Sequence, residues 1–359
     1  MVIFDPWGRE PAAPADDVDG FKRSWQPVDL DDVLSGTWEP PQPTVGRRAD
    51  GVGLFYPGKV HTVASESEAG KTWFALSAVV DELAAGNAVA YLDFEDDEGG
   101  IAGRLLALQV DADVIRDRFR YIRPTEALGT GIHLDDLRAA VLDPPTTSLA
   151  VVDGITEAMG LHGYDPIANK DVAAFGRILP RRIANLGPAV VCLDHLTKAV
   201  EGRGRYAIGG AHKLNGLDGA AYILENRAPF GIGITGRSTL KLAKDRPGQL
   251  RRHGLASSGG LYWFGDLVLD SHDMRFAEVE VRPPSEHQSG DGDFRPTVLM
   301  GRIAAALTEH GPLAQRRIIV AVRGKTAAIK AALDLLILDG YVSEGSPHAL
   351  IKPYVVEGD

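Results

Sequence analysis

Short apolar runs alternating with helical runs predict an α/β protein, with a mainly parallel sheet extended by antiparallel strands and a small helical domain after it. Three observations carry this. Lys59–Ala64, Val89–Phe94, Phe119–Ile122, Leu149–Val152 and Ala189–Leu193 are brief apolar runs with helix-length segments between most of them, the pattern of parallel strands covered on both faces. After about Ala220 the strand-like runs come close together: Ala221–Leu224, Ile232–Thr235, Thr239–Ala243, Leu261–Phe264 and Arg275–Val281. That spacing suits an antiparallel meander continuing the sheet. Then PPSEHQSGDGDFR, a linker by composition, leads into three helical runs.

In order, residues 1–36 are rich in Asp, Pro and small residues and read as a mobile arm with one short helix near Val28–Leu34. The core is expected over 37–282. Its first strand, Lys59–Ala64, runs into the polar loop SESEAGK. A helix follows with Trp73, Leu76, Val79, Val80 and Leu83 at helical spacing, closed by Gly86. Further helices are expected around Ile101–Leu108 and Val172–Leu186. Beyond the linker at 283–295, the runs Thr297–His310, Ala314–Val322 and Thr326–Leu338 end at Asp339-Gly340-Tyr341. With two wing strands through Val342–Tyr354, the segment 296–359 reads as a winged helix-turn-helix.

Composition narrows the function. Apolar residues make up 44% and charged residues 24%, enough for a sizeable core. A single cysteine, Cys192, excludes a disulfide scaffold and a cysteine zinc cluster. The start MVIFDPWGRE has neither a basic nor an apolar signal region, and no apolar run has the length of a membrane span, so a cytoplasmic location is expected. The net charge of −11 argues against a generic basic coat for nucleic acid, though not against a few local loops.

The most informative stretch is Ser65-Glu66-Ser67-Glu68-Ala69-Gly70-Lys71-Thr72, between a strand and a helix. It fits the phosphate-binding loop GxxxxGK[ST], with Ser65 replacing the first glycine. Backbone N–H groups from Glu68 to Thr72 would wrap a phosphate at a helix N-terminus. Lys71 would reach the β/γ oxygens, and the Thr72 hydroxyl would ligate Mg²⁺. Ser65 would cost about a kcal/mol if its position demands a positive φ. Asp153 ends the strand Leu149–Val152 and suits Mg²⁺ through water; a strand-end turn before Gly154 is the plainer use. Because Gly154 follows, a water-activating carboxylate must come from elsewhere. Glu95, in the acidic stretch YLDFEDDEGG, is the candidate.

A phosphate loop followed by a strand ending in Asp-x-Glu resembles the RecA-like ATPase core. In that family the glutamate positions the attacking water, and Glu95 occupies the matching place. GLFYPGKVHTVASESEAGKT resembles the start of the core in RepA-type plasmid and phage helicases. VVCLDHLTK resembles the strand that ends near a sensor histidine, here His195, for which a satisfied buried histidine is the alternative. LKLAKDRPG resembles the Lys-x-Arg-x-Gly element of DnaB-type and RepA-type hexamers, where such a lysine and arginine, here Lys244 and Arg246, reach into the next subunit's ATP. The resemblance covers about Gly51–Val281.

It implies an ATP- and Mg²⁺-dependent motor of replicative helicase type, a hexameric ring on single-stranded DNA. The glycine-rich basic stretch Thr197–Gly216 would hold the strand through Lys198, Arg203, Arg205 and Lys213, with Tyr206 stacking on a base. The C-terminal domain, with Arg316, Arg317, Arg323, Lys325 and Lys330, would dock a replication partner or assist DNA binding. Two other readings stay open: a RecA-fold nucleotide switch without motor function, and a recombination or repair ATPase of the RecA-paralogue kind.

Overall fold

The computed structural model describes residues 27–129, 131–143, 147–196, 216–284, 297–322 and 326–354. The chain divides into two compact units, Met1–Pro41 and Gln42–Asp359. In the first, the described helix α1 is Asp31–Ser35, ended by Gly36 in the left-handed conformation that glycine takes without strain. It is shorter than the run expected from Val28; its own Val33 and Leu34 are exposed, as are the flanking Val28, Leu30 and Trp38.

The second unit is built on a ten-stranded sheet. A separate hairpin of β1 (Val45–Arg47) and β2 (Gly53–Phe55) precedes it. The sheet contains β3 (Val60–Ser65), β4 (Ala88–Asp93), β5 (Phe119–Ile122), β6 (Thr147–Asp153), β7 (Ala189–His195), β8 (Ala220–Ala228), β9 (Thr235–Asp245), β10 (Leu255–Ala256), β11 (Tyr262–Ser271) and β12 (Ala277–Arg282). The order is β10-β11-β9-β8-β3-β7-β6-β4-β5, with β12 also paired to β11. From β8 to β5 the pairing is parallel; from β8 outward through β9, β11, β10 and β12 it is antiparallel. The mixed sheet is therefore as the sequence predicts.

Strand alternation divides the core into two. Val63, Val89, Tyr91, Val151, Val191, Tyr222 and Leu240 face one way, with Phe74, Leu76 and Val79 of α2 (Lys71–Ala84) in the same cluster. Ala90, Leu92, Ala150, Val152, Val190 and Cys192 face the other. That second cluster holds residues of α5 (Ile132–Leu142), α6 (Ile155–Leu161), α7 (Asn169–Ile178) and α8 (Pro180–Ala184). Burial on both faces is why these strands read as unbroken apolar runs. Two more helices, α3 (Glu98–Ala107) and α4 (Ala112–Arg118), lie between β4 and β5.

Several expectations change. The run Val172–Leu186 is not one helix: Pro180 opens α8, having no N–H to continue α7. The expected strand Ile232–Thr235 is one only at Thr235, where β9 begins; residues 232–234, with Gly233 at φ 75°, form the turn between β8 and β9. β9 and β11 are correspondingly longer than the short runs anticipated, and α4, α5 and α6 were not anticipated.

The C-terminal segment forms α9 (Thr297–His310), α10 (Gln315–Ala321) and α11 (Thr326–Leu338). Met300, Ile303, Leu307, Ile318, Ile329, Leu333 and Leu336 share one apolar cluster. Instead of a two-strand wing ladder, the described residues make two isolated bridges, Leu313 to His348 and Val342 to Leu350. Arg316, Arg317 and Lys330 are exposed, while Arg323 and Lys325 lie outside the described residues. No described helix is long and apolar enough to cross a membrane.

Candidate nucleotide-binding site

The sheet order sets β3, β7, β6 and β4 side by side with their carboxyl ends together, the edge of an open α/β sheet where ligands gather. The loop after β3 stands at this edge and opens α2. Ser65 is its last strand residue, paired to His195 and Leu224, and its buried hydroxyl donates to the Glu66 carbonyl at 2.6 Å. A serine there carries none of the anticipated strain. The positive φ values fall instead on Glu68 (62°) and Gly70 (88°).

Gly70 is needed twice over: a Cβ would lie 2.8 Å from the Phe230 ring and 3.1 Å from Leu267 Cδ2. The loop is further tied to β9, since Ser238 Oγ donates to the Ala69 carbonyl at 2.8 Å. Glu66, Ser67 and Glu68 remain exposed. Replacing Glu68 by glycine is expected to raise stability by about 0.5–1 kcal/mol by relieving its left-handed backbone. Urea denaturation checks this against Glu68→Ala, which keeps the strain and should show no gain.

Lys71 is buried at the start of α2, and its Nζ lies 3.2 Å from His195 Nδ1. Burial pulls the Lys71 pKa below the ordinary lysine range, opposed by the charges of Glu95, Asp153, Asp194 and Glu157. An ammonium only donates, so Nδ1 accepts and Nε2 carries the proton. Nε2 is 3.1 Å from Glu95 Oε1. Lys71, His195 and Glu95 thus form one hydrogen-bonded chain.

Glu95 follows β4, and Gly154, at φ 82°, makes room for it: a Cβ on Gly154 would lie 2.7 Å from Glu95 Cγ and 3.4 Å from Glu157 Oε2. Burial raises the Glu95 pKa, as do the Asp153 charge and a hydrogen bond with Glu157, while His195 lowers it. Asp153 ends β6. Its Oδ2 accepts from Tyr91 Oη at 2.6 Å and from Thr72 Oγ1 at 3.4 Å. Its Oδ1 is buried with no hydrogen-bond partner, and burial raises the pKa of the carboxyl. A buried carboxylate with one free oxygen beside a threonine hydroxyl suits a hydrated Mg²⁺ held by both side chains.

The acidic stretch around Glu95 divides its labour. Asp93 is buried and accepts from the N–H groups of Glu95 and Asp96 and from Tyr121 Oη. Asp97 caps α3 by accepting from Gly100 N–H. Asp96 pairs with Arg104, and Glu98 with Arg123. Only Glu95 reaches His195.

Lys244 and Arg246 are not at this edge. Lys244 pairs with Ala221, which pairs with Thr62, so about 10 Å of strand separates its register from the end of β3. Its Nζ donates to the Leu217 carbonyl at 2.9 Å, and burial lowers its pKa. Arg246 is exposed. Between them Asp245 is buried and accepts from Tyr56 Oη and the N–H groups of Gly248, Leu250 and Arg251, fixing the turn that presents both bases. The DNA-contact candidates Lys198, Arg203, Arg205 and Lys213 lie outside the described residues.

Tyr91, Glu157, Phe230 and Ser238 join the site without having been singled out in the sequence. Tyr91 alone had a signal: it precedes Asp93 by two and so shares its strand face.

Residues 26–201 match the family model of the AAA domain, a domain of the P-loop ATPase type. The matched span includes the loop, Glu95, Asp153 and His195. No curated protein matches the chain. The match points to nucleotide-dependent activity, with ATP and usually Mg²⁺ as the ligands that the matched family implies.

Proposed function

We propose that this protein is an ATP-driven motor of the RepA- and DnaB-like replicative helicase kind, moving on single-stranded DNA as a hexameric ring. The observation that carries the reading is the convergence of Lys71, Thr72, Glu95, Asp153 and His195 on one sheet edge while Lys244 and Arg246 occupy the other end. Two bases that stand away from their own chain's loop suit a site completed by a neighbour.

In this reading the N–H groups of Glu68 to Thr72 hold the phosphates, with Lys71 on the β/γ oxygens. Thr72 and Asp153 would hold Mg²⁺, which would supply positive charge against the phosphoryl oxygens. Glu95 orients the attacking water and takes its proton. Engaging a phosphate oxygen draws Lys71 Nζ off His195 Nδ1, and the ring passes that change to Glu95. A neighbour's Lys244 leaves the Leu217 carbonyl and, with Arg246, stabilises the transferring phosphoryl group.

Lys198, Arg203, Arg205 and Lys213 contact DNA phosphates, six copies of the loop converging in one channel so that an acidic chain still binds DNA. The C-terminal helices serve as a winged helix-turn-helix for docking or auxiliary DNA contact. The largely apolar third helix, with Ile329, Leu333 and Leu336 buried, suits docking better than base readout.

The test is steady-state ATP hydrolysis with and without single-stranded DNA, across a dilution series, for the wild type, Lys71→Ala and Glu95→Gln. DNA stimulation that is lost in both variants, and turnover per chain that falls on dilution, are expected. Negligible turnover with intact ATP binding would replace the motor by a nucleotide switch. Turnover per chain that stays constant on dilution would remove the neighbour's role.

A further inference from the structure

The two strand-end aspartates of the site are each held by a tyrosine that the proposed mechanism leaves unused. Tyr91 lies on β4 opposite Val151, two residues before the pair Asp93 and Asp153, and is fully buried. Its hydroxyl donates to Asp153 Oδ2 at 2.6 Å, the shorter of the two bonds to that oxygen. Tyr121 on β5 donates to Asp93 Oδ2 at 3.0 Å, and the two rings stack at 6.2 Å. Asp153 is left with one oxygen engaged and the other buried and without a partner. A carboxylate that rotates freely would share both oxygens among its donors. One pinned through Oδ2 keeps Oδ1 aimed.

We propose that Tyr91 is a positioning residue for the divalent cation: by fixing Oδ2 of Asp153 it sets Oδ1 to accept from the cation's water shell. The proposal rests on the reading of this edge as an ATP·Mg²⁺ site, and it concerns the cation rather than the phosphates. Outer groups that orient a ligating or water-bridging side chain cost about 10–100-fold in metal affinity when removed. Tyr121, which orients the turn bearing Glu95 and not Asp153, is the matched control on the same stack.

The experiment measures binding of a fluorescent ATP analogue to the full chain while Mg²⁺ is titrated, and again in EDTA. It compares the wild type, Tyr91→Phe, Tyr121→Phe, Asp153→Asn and the double variant Tyr91→Phe/Asp153→Asn. Tyr91→Phe is expected to raise the Mg²⁺ concentration for half-maximal binding by about tenfold, with binding in EDTA equal to that of the wild type. Tyr121→Phe should leave the Mg²⁺ midpoint in place. Asp153→Asn should raise it, and adding Tyr91→Phe should raise it no further.

An unchanged midpoint in Tyr91→Phe overturns the proposal. So does a loss of binding that is equal in Mg²⁺ and EDTA, which marks a packing role. Should Tyr91→Phe fail to fold, a Tyr121→Phe midpoint as high as that of Asp153→Asn would overturn it instead. Silence of every protein in both buffers would overturn the nucleotide reading itself, an outcome distinct from a selective Tyr91 defect.

Discussion

Changing Glu95 to glutamine is expected to lower ATP turnover by about 10²–10⁴-fold while leaving ATP bound, the range for losing a positioned general base. Glutamine keeps the size of the side chain that Gly154 accommodates and can still accept from His195 Nε2. It has no carboxylate to take a proton. Lys71, Thr72 and the loop are untouched, so the nucleotide dissociation constant should stay near that of the wild type. The pair of measurements is phosphate release and binding of a labelled ATP.

Turnover near the wild-type rate would place the base on another group, and Glu157, hydrogen-bonded to Glu95, would be the next to change. The sign of the pH dependence follows from the same surroundings. Burial, Asp153 and Glu157 hold the Glu95 pKa above the usual glutamate range. A protonated Glu95 cannot take the water's proton, so turnover should fall as pH is lowered through that raised value, at a higher pH than an exposed glutamate would show.

The parts of this site legible in the sequence are those encoded by short spacing. Lys71 and Thr72 follow a fixed loop pattern, and Glu95, Asp153 and His195 each stand at or just past the end of a short apolar run. Parallel strands with their ends aligned bring such residues together whatever lies between. Tyr91 was illegible as a partner of Asp153 because the bond spans 62 positions and depends on the β4–β6 register, which no local pattern states. Phe230 was hidden for a related reason. Its neighbours Ile232 to Thr235 look like a strand, and only the folded hairpin places its ring against Gly70. Ser65 misled in the other direction. Its place in a loop motif suggested strain, whereas it continues β3 and the loop's non-glycine positive φ is at Glu68. The helices α4 and α6, seven residues each, have too few turns for their period to stand out from loops.

Acid should weaken this protein well above the pH at which ordinary carboxylates titrate, and His61 is the reason. It sits in β3, fully buried, four residues before the phosphate loop begins at Ser65. The Tyr56 N–H donates to Nε2 at 2.9 Å, so Nε2 must be unprotonated, while Nδ1, 3.1 Å from the Val190 carbonyl, carries the single proton. Gly219 closes the ring in, since a Cβ there would come within 2.6 Å of it. Protonating Nε2 would destroy the Tyr56 bond and bury a charge.

Burial accordingly pushes the His61 pKa down to about 4, against which the Val190 carbonyl and the more distant charges of Asp218 and Asp245 act only partly. The unfolded chain binds a proton near pH 6.5 and the folded chain does not, so stability falls as pH drops from 6.5 to about 4. The full loss is about 3 kcal/mol. Glu95 and Asp153, with raised pKa values, respond in the opposite sense, because their protonation favours the folded state. Subtraction therefore isolates the histidine: His61→Gln can still accept from Tyr56 and donate to Val190 but does not titrate. Denaturant unfolding of both proteins at intervals between pH 7 and pH 4.5 should show the wild type losing stability more steeply, the difference opening below pH 6.5. Parallel profiles would mean that His61 takes up its proton within the fold, and that the strand carrying the loop yields to admit the charge.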